Sequence, residues 1–209
     1  MNLRPPELST SELDGAATFL RDSDEVMLTS HVNSDGDGVG SCLALAGLLR
    51  SLGKTPSIVL QDVPADTYSF LEGFDAIIQA EESATRTFDR VIVLDCPERE
   101  RIGRAEHLIT ADAVLLNLDH HLANQRFGDS NIASEAICST CELVFHLASH
   151  MGLEIDPATA AQLYTGIIFD TGNFRYSLTT PVSMEVAAEL VRRGARLDRI
   201  ADRLYNNAT

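Results

Sequence analysis

Three short apolar runs in this chain each end on groups that water or a counter-charge must satisfy. Val26-Met27-Leu28-Thr29 leads into His31-Val32-Asn33-Ser34-Asp35-Gly36-Asp37. Arg90-Val91-Ile92-Val93-Leu94 ends on Asp95, and Ala113-Val114-Leu115-Leu116-Asn117-Leu118 ends on Asp119-His120-His121. Val/Ile/Leu runs separated by helical patterns read as parallel strands buried on both faces, and open parallel sheets bind ligands just beyond the strands' carboxyl ends. The three clusters are therefore expected to face one cleft. Imidazoles and carboxylates without a thiolate form a ligand set for divalent ions of the Mn²⁺/Mg²⁺ kind rather than for structural zinc.

The rest of the chain supplies crossover elements. A first helix over residues 12–20 is expected with Ser11 as its cap, and Val39–Leu49 reads as an apolar helix whose N-terminus points at the cleft. Ser57–Leu60 and Ala76–Ile78 are further strand candidates, joined by a surface connection containing Pro64 and Gly73. Arg126–Asn131 reads as a loop, and Thr140–Ser149 as a helix. Asp156-Pro157 opens a helix that runs toward Asp170, Pro181 opens another that stops at Gly194, and a last one spans Leu197–Tyr205 before Asn206–Thr209. Strand and helix alternation gives an α/β fold, a doubly wound and mainly parallel sheet with helices on both faces.

Composition narrows the function. At 209 residues and 44% hydrophobic, the chain fits one domain with an ample core. No run approaches the ~20 apolar residues that cross a bilayer, and Met1–Pro6 has no secretory apolar stretch, so no membrane is involved and the expected location is cytoplasmic. Four cysteines, Cys42, Cys96, Cys138 and Cys141, are too few for a disulfide scaffold. Cys138-Ser139-Thr140-Cys141 lacks the second pair a metal knuckle needs. A net charge of −15 argues against holding long nucleic acid through its backbone. Two bound divalent ions would offset four units of that charge inside the cleft, so small phosphates engaged at the ions are the expected substrates.

Each cluster alone has an ordinary reading: Asp35-x-Asp37 as a turn or a Ca²⁺-like loop, Asp119-His120-His121 as a solvated strand end, Arg175 as a surface ion-pair partner. Together they favour a metal site. Gly36 and Gly38 would allow unusual backbone dihedrals around the two aspartates. Asp119 could orient an imidazole from behind, leaving His121 to meet a phosphate, while Arg175 could clamp one. Arg99, Arg101 and Arg104 follow the Asp95 strand end, and most of them read as a solvated helix face.

His31-x-x-x-Asp35-x-Asp37-x-x-Gly40-Ser41, Asp95, Asp119-His120-His121 and Gly166-x-x-x-Asp170-Thr171-Gly172-x-Phe174-Arg175 resemble, in order, the four motifs of the DHH phosphoesterases. The last is most similar to the branch that degrades very short RNA and dephosphorylates 3′-phosphoadenosine 5′-phosphate. Ser34 stands where that family commonly has proline. The resemblance implies a two-metal hydrolase, with Mn²⁺ as the expected ion and Mg²⁺ as the alternative. It assigns His31, Asp35 and Asp95 to one ion and Asp37, His120, Asp170 and the shared Asp95 to the other. His121, Asp95, Asp119 and Arg175 are the residues expected to serve catalysis. Residues 1–209 would be the catalytic domain alone, without the family's C-terminal substrate-binding domain. The expected partners are short single-stranded RNA or a small phosphorylated nucleotide, and a homodimer is compatible. A cyclic-dinucleotide phosphodiesterase, a single-strand exonuclease and an inorganic pyrophosphatase are the enzymatic alternatives, and a non-catalytic nucleotide-binding module the alternative of another class.

Overall fold

The computed structural model describes residues 8–82 and 86–206. The apolar runs form the middle of a parallel sheet: β1 (Glu25–Thr29), β2 (Thr55–Leu60), β3 (Ile78–Gln79), β4 (Phe88–Leu94), β5 (Ile109–Asp119) and β6 (Ser130–Ala133), in the order β3-β2-β1-β4-β5-β6. The chain grows outward in both directions from β1 and β4, so the sheet is doubly wound and its switch point lies between those two strands.

Right-handed crossovers then put the two connecting segments on opposite faces. Helix α2 (Gly36–Ser51), joining β1 to β2, packs on one face. The 3-10 segment Arg99–Leu108, joining β4 to β5, packs on the other through Ile102, Ala105 and Leu108. Coverage is uneven. Helices α1 (Thr10–Asp22), α3 (Thr140–Met151), α4 (Pro157–Asp170), α5 (Pro181–Arg192) and the short α6 (Leu197–Ala201) all join the α2 side, where the larger core cluster lies. Helix α2 is buried almost all round because α4 and α3 cover the side turned away from the sheet, which is why its sequence is apolar without an amphipathic stripe.

Several boundaries differ from the sequence expectation. Helix α1 starts at Thr10 with Ser9 as its cap residue and no capping side-chain bond, so Ser11 lies inside it. Ala76 closes a 3-10 turn and the third strand begins only at Ile78. The connection before it is not purely a surface one, since Tyr68 and Leu71 are buried in the main core. Ser130 and Asn131 belong to β6 rather than to a loop, because Ser130 pairs with Leu116 and Asn131 with Asn117. The last helix changes to a π-helical turn over Asp202–Asn206. Of the expected end at Asn206–Thr209, Asn206 closes that turn, while residues 207–209 and the Met1–Pro6 stretch lie outside the described residues. Among the described residues, no helix is long and apolar enough to cross a membrane.

Candidate metal centre

Asp95 sits at the middle of the cleft because β4 is a central strand and the backbone turns inward as that strand ends. Its φ of 53° is left-handed, a conformation that costs a residue with a side chain on the order of 1–3 kcal/mol. Aspartate tolerates it better than most residues, and the N–H is still held by Leu118 O at 2.9 Å. The carboxylate is buried, and its two oxygens face opposite ways. Oδ2 lies 3.4 Å from His31 Nε2, and Oδ1 lies 3.5 Å from His120 Nε2.

His31 and Asp35 occupy the Oδ2 side. The His31 ring is fixed by Nδ1 against Val32 O at 2.8 Å, which leaves Nε2 turned to Asp95. Asp35 caps α2 with Oδ1, which accepts from Asp37 N at 2.9 Å and Gly38 N at 3.3 Å, and this leaves Oδ2 free to face His31. Ser34 donates to His31 O at 2.6 Å, so a hydrogen bond tethers the loop. Gly36 and Gly38 are helical, not left-handed. Their lack of a side chain serves close approach instead, since a Cβ would strike Phe169 at the first and Ser30 at the second.

On the Oδ1 side, Asp37 is wholly buried and both its oxygens are engaged: Thr140 N donates to Oδ2 at 2.6 Å and Cys141 N to Oδ1 at 2.8 Å. These amides open α3, so a helix N-terminus supports this charge. Cys138-Ser139-Thr140-Cys141 thus contributes backbone, while its two thiols are buried and pushed upward in pKa by burial. His120 Nε2 lies 3.1 Å from Asp170 Oδ2 and 3.9 Å from Asp37 Oδ2. Asp170 is the last residue of α4, brought close because Gly166, one turn earlier, leaves room for Asp37 Oδ1 and Cys141 Sγ where a Cβ would collide with both. Ligand atoms of His31, Asp35 and Asp95 lie within 4.8 Å of one another, and so do those of Asp37, His120 and Asp170 and those of Asp95, His120 and His121.

Four carboxylates face two imidazoles here, and the titration behaviour records the imbalance. Burial, followed by repulsion from Asp170 and Asp95, lifts Asp37 well above the usual carboxylate range. Burial likewise raises Asp35, and it is the main cause that lifts Asp170 to about 6. Burial would also raise Asp95, but His120 and His31 on either side outweigh it and hold that carboxyl below the usual range. Burial alone would depress His120, yet Asp170 and Asp95 overcome this and bring it up to about 11. His31 is raised as well, Asp95 offsetting its burial. A cluster that holds protons this tightly lacks positive charge, and its nitrogen and carboxylate donors fit divalent cations.

Asp119 and His121 stand behind and beside this centre. Asp119 Oδ1 is 2.8 Å from His121 Nδ1, so the carboxylate orients His121 rather than the neighbouring His120. Asn124 Nδ2 donates to Asp119 Oδ2 at 2.6 Å and to Asn117 Oδ1 at 2.8 Å, while Asn117 Nδ2 donates to Val93 O and Cys96 O at 3.2 Å each. Sequence reasoning missed this network, although a polar residue inside the run Leu116-Asn117-Leu118 was a usable signal. His121 is part-exposed and lines an open cleft of about 490 Å³ together with His31, Asp35, Asp95, His120 and Asp170. Arg101, Glu135, Leu122 and Leu178 complete the lining. Arg175 does not join it: Nε donates to Gly172 O at 2.7 Å, within the turn that follows Asp170, and the side chain lies in an exposed stretch.

The motif order, the doubly wound sheet and the paired clusters meet in one family. The model of the DHH family, N-terminal domain, matches residues 25–167. This chain belongs to the DHH family. It is 32% identical over 185 residues to the bifunctional oligoribonuclease and PAP phosphatase NrnA of Thermus thermophilus, covering 86% of this chain and 53% of that protein. The protein of the same name from Bacillus subtilis is 28% identical, with 87% of this chain and 57% of that protein covered. The chain thus spans about half the length of these curated relatives. The crystal structure of an exopolyphosphatase-related protein from Bacteroides fragilis superposes with a TM-score of 0.92 at 26% identity, covering 99% of this chain and 63% of that one.

Proposed function

We propose that the chain is the catalytic unit of a two-metal phosphoesterase that hydrolyses short oligoribonucleotides, 3′-phosphoadenosine 5′-phosphate, or both, with Mn²⁺ as the working ion. The observation that carries this reading is Asp95, whose buried carboxylate turns one oxygen to each half of the cluster at 3.4 and 3.5 Å from His31 and His120. Such a group serves as a bridge between ions held about 3.5–4 Å apart. His31, Asp35 and Asp95 would hold one ion, and Asp37, His120, Asp170 and Asp95 the other. When bound, the pair supplies an acidified water and neutralises charge developing on the phosphoryl oxygens.

The protein's own residues do the rest. His121, steered through Nδ1 by Asp119, keeps Nε2 for the cleft, where it can hydrogen-bond the phosphate or pass a proton to the leaving oxygen. Leu122 and Leu178 give the cleft an apolar rim on which a base can rest. The names of the Thermus and Bacillus relatives support the substrate class, and an acidic chain of −15 suits short substrates gripped at the ions better than long duplexes. A further domain following this one in the whole protein would close over the cleft and strengthen substrate binding. A cytoplasmic location follows from the proposed substrates.

The test is hydrolysis by this chain, with and without Mn²⁺, of bis(p-nitrophenyl) phosphate, a diribonucleotide and 3′-phosphoadenosine 5′-phosphate. Metal-dependent turnover abolished by Asp95→Ala is the expected result. Absence of turnover on all three with Mn²⁺ bound would support the non-catalytic nucleotide-binding alternative.

A further inference from the structure

The 3-10 segment after Asp95 carries three arginines with different fates. Arg99 pairs with Glu106 at 2.7 Å, and Arg104 pairs with Glu81 at 2.9 Å and reaches toward Asp62 at 3.9 Å. Arg101 is half-buried and lines the cleft beside His31, Asp35 and Asp95. Among the described residues no carboxylate pairs with it, and no other lysine or arginine lines that cleft. Its position is built in. Val32 N, next to His31, donates to Arg101 O at 2.7 Å, and Arg104 N donates to Gln61 Oε1 at 2.9 Å. The left-handed Gly103, with φ 65°, lets the segment close at this point, since a Cβ there would run into Gln61 and Val32. The chain therefore fixes this backbone to the His31 loop and leaves one guanidinium uncommitted over an acidic, metal-fitting cleft.

We propose that Arg101 is a phosphate-binding residue, its guanidinium spanning two non-bridging oxygens of the phosphoryl group that is hydrolysed. The inference rests on the phosphoesterase reading and adds the residue that grips the substrate's charge. A guanidinium suits the task because its planar fork matches two oxygens at once, and it stays protonated beside bound cations. Two neighbouring arginines are held away by Glu106 and Glu81, so the segment presents one cation rather than a basic patch. That arrangement selects a single phosphate and not a polyanionic strand.

Arg101→Gln and Arg101→Lys separate this role from a structural one. The two variants and the parent chain, loaded with Mn²⁺, are compared for the KM and kcat of bis(p-nitrophenyl) phosphate, for competitive inhibition by inorganic phosphate, and for Mn²⁺ affinity by calorimetry. Loss of a charged, bidentate contact should lower kcat/KM about 10- to 100-fold and weaken phosphate inhibition by a similar factor in Arg101→Gln. Arg101→Lys should recover only part of both, with Mn²⁺ affinity unchanged throughout. Unaltered phosphate inhibition in Arg101→Gln, or equal weakening of Mn²⁺ and phosphate binding, would overturn the proposal, the latter by showing that Arg101 acts through the ligand cluster. A parent chain that binds phosphate at Arg101 but cleaves no diester would instead remove the phosphoesterase reading while the contact stands.

Discussion

The two halves of the metal centre use the same residue types and are held very differently. On the inner half, Asp37 is fully buried, accepts two amides from the start of α3, and shares its space with His120 and Asp170 at the end of α4. On the outer half, Asp35 keeps a side-chain exposure of 35% and bonds only the amides of its own helix, while His31 rides on a loop. The inner half is thus preorganised by α3 and α4, which pack against α2 and against each other, and the outer half by one cap and one tethered loop. Desolvation makes the inner carboxylates costly without a cation and correspondingly strong ligands with one. An ion on the inner side should therefore bind more tightly than one on the outer side, with Asp95 as the element common to both.

Removing the common element breaks the comparison most severely. Asp95→Ala should reduce phosphodiester turnover by several orders of magnitude, on the scale seen when a metal site is dismantled, and weaken both classes of Mn²⁺ site in a calorimetric titration. Less drastic is the contrast between Asp37→Asn and Asp35→Asn. The first should remove the tighter class of Mn²⁺ site and the second only the weaker class, with the tighter affinity kept within about 10-fold. Equal effects of the two variants would show that the halves do not differ.

Proton competition sharpens the contrast further. His120 is raised to about 11 and Asp170 to about 6, so in the metal-free protein at neutral pH the first carries a proton and the second is mostly ionised. An ion entering the inner half must displace the His120 proton, and below about pH 6 it must displace Asp170's as well. Mn²⁺ affinity at the tighter site should therefore rise steadily with pH and fall more steeply below pH 6. Titrations in buffers of different ionisation enthalpy count the protons released. Affinity independent of pH between 6 and 9 would exclude His120 as a ligand. The smallest expected effect is that of Asn124→Ala, which frees Asp119 from its second partner. It should lower kcat about 10-fold through a misdirected His121 and leave Mn²⁺ affinity unchanged.

Much of this centre was legible in the sequence because each strand end announces itself by a change from Val, Ile and Leu to Asp and His, as at Leu94-Asp95 and Leu118-Asp119. The sheet was readable for the same reason, since strands buried on both faces must be apolar throughout. Features set by packing between distant segments were not. Nothing around Thr140 and Cys141 indicates that their amides will meet Asp37, more than a hundred residues earlier. Arg99, Arg101 and Arg104 look alike in sequence, and only the closure at Gly103 separates the one facing the cleft from the two that pair with acids. Conversely, Arg175 lies in a motif that invites a substrate role, yet its guanidinium bonds the turn it belongs to. The short β6 was hidden because Ser130 and Asn131 carry no strand signal and pair only because β5 offers an edge.

Anomalous scattering from a crystal grown with Mn²⁺ tests the shared-carboxylate centre most directly. Two Mn²⁺ peaks about 3.5–4 Å apart, one against His31 and Asp35, the other against Asp37, His120 and Asp170, with Asp95 contacting both, is the result expected here. A single ion in a metal-replete crystal, or two ions with Asp95 touching only one of them, would contradict it.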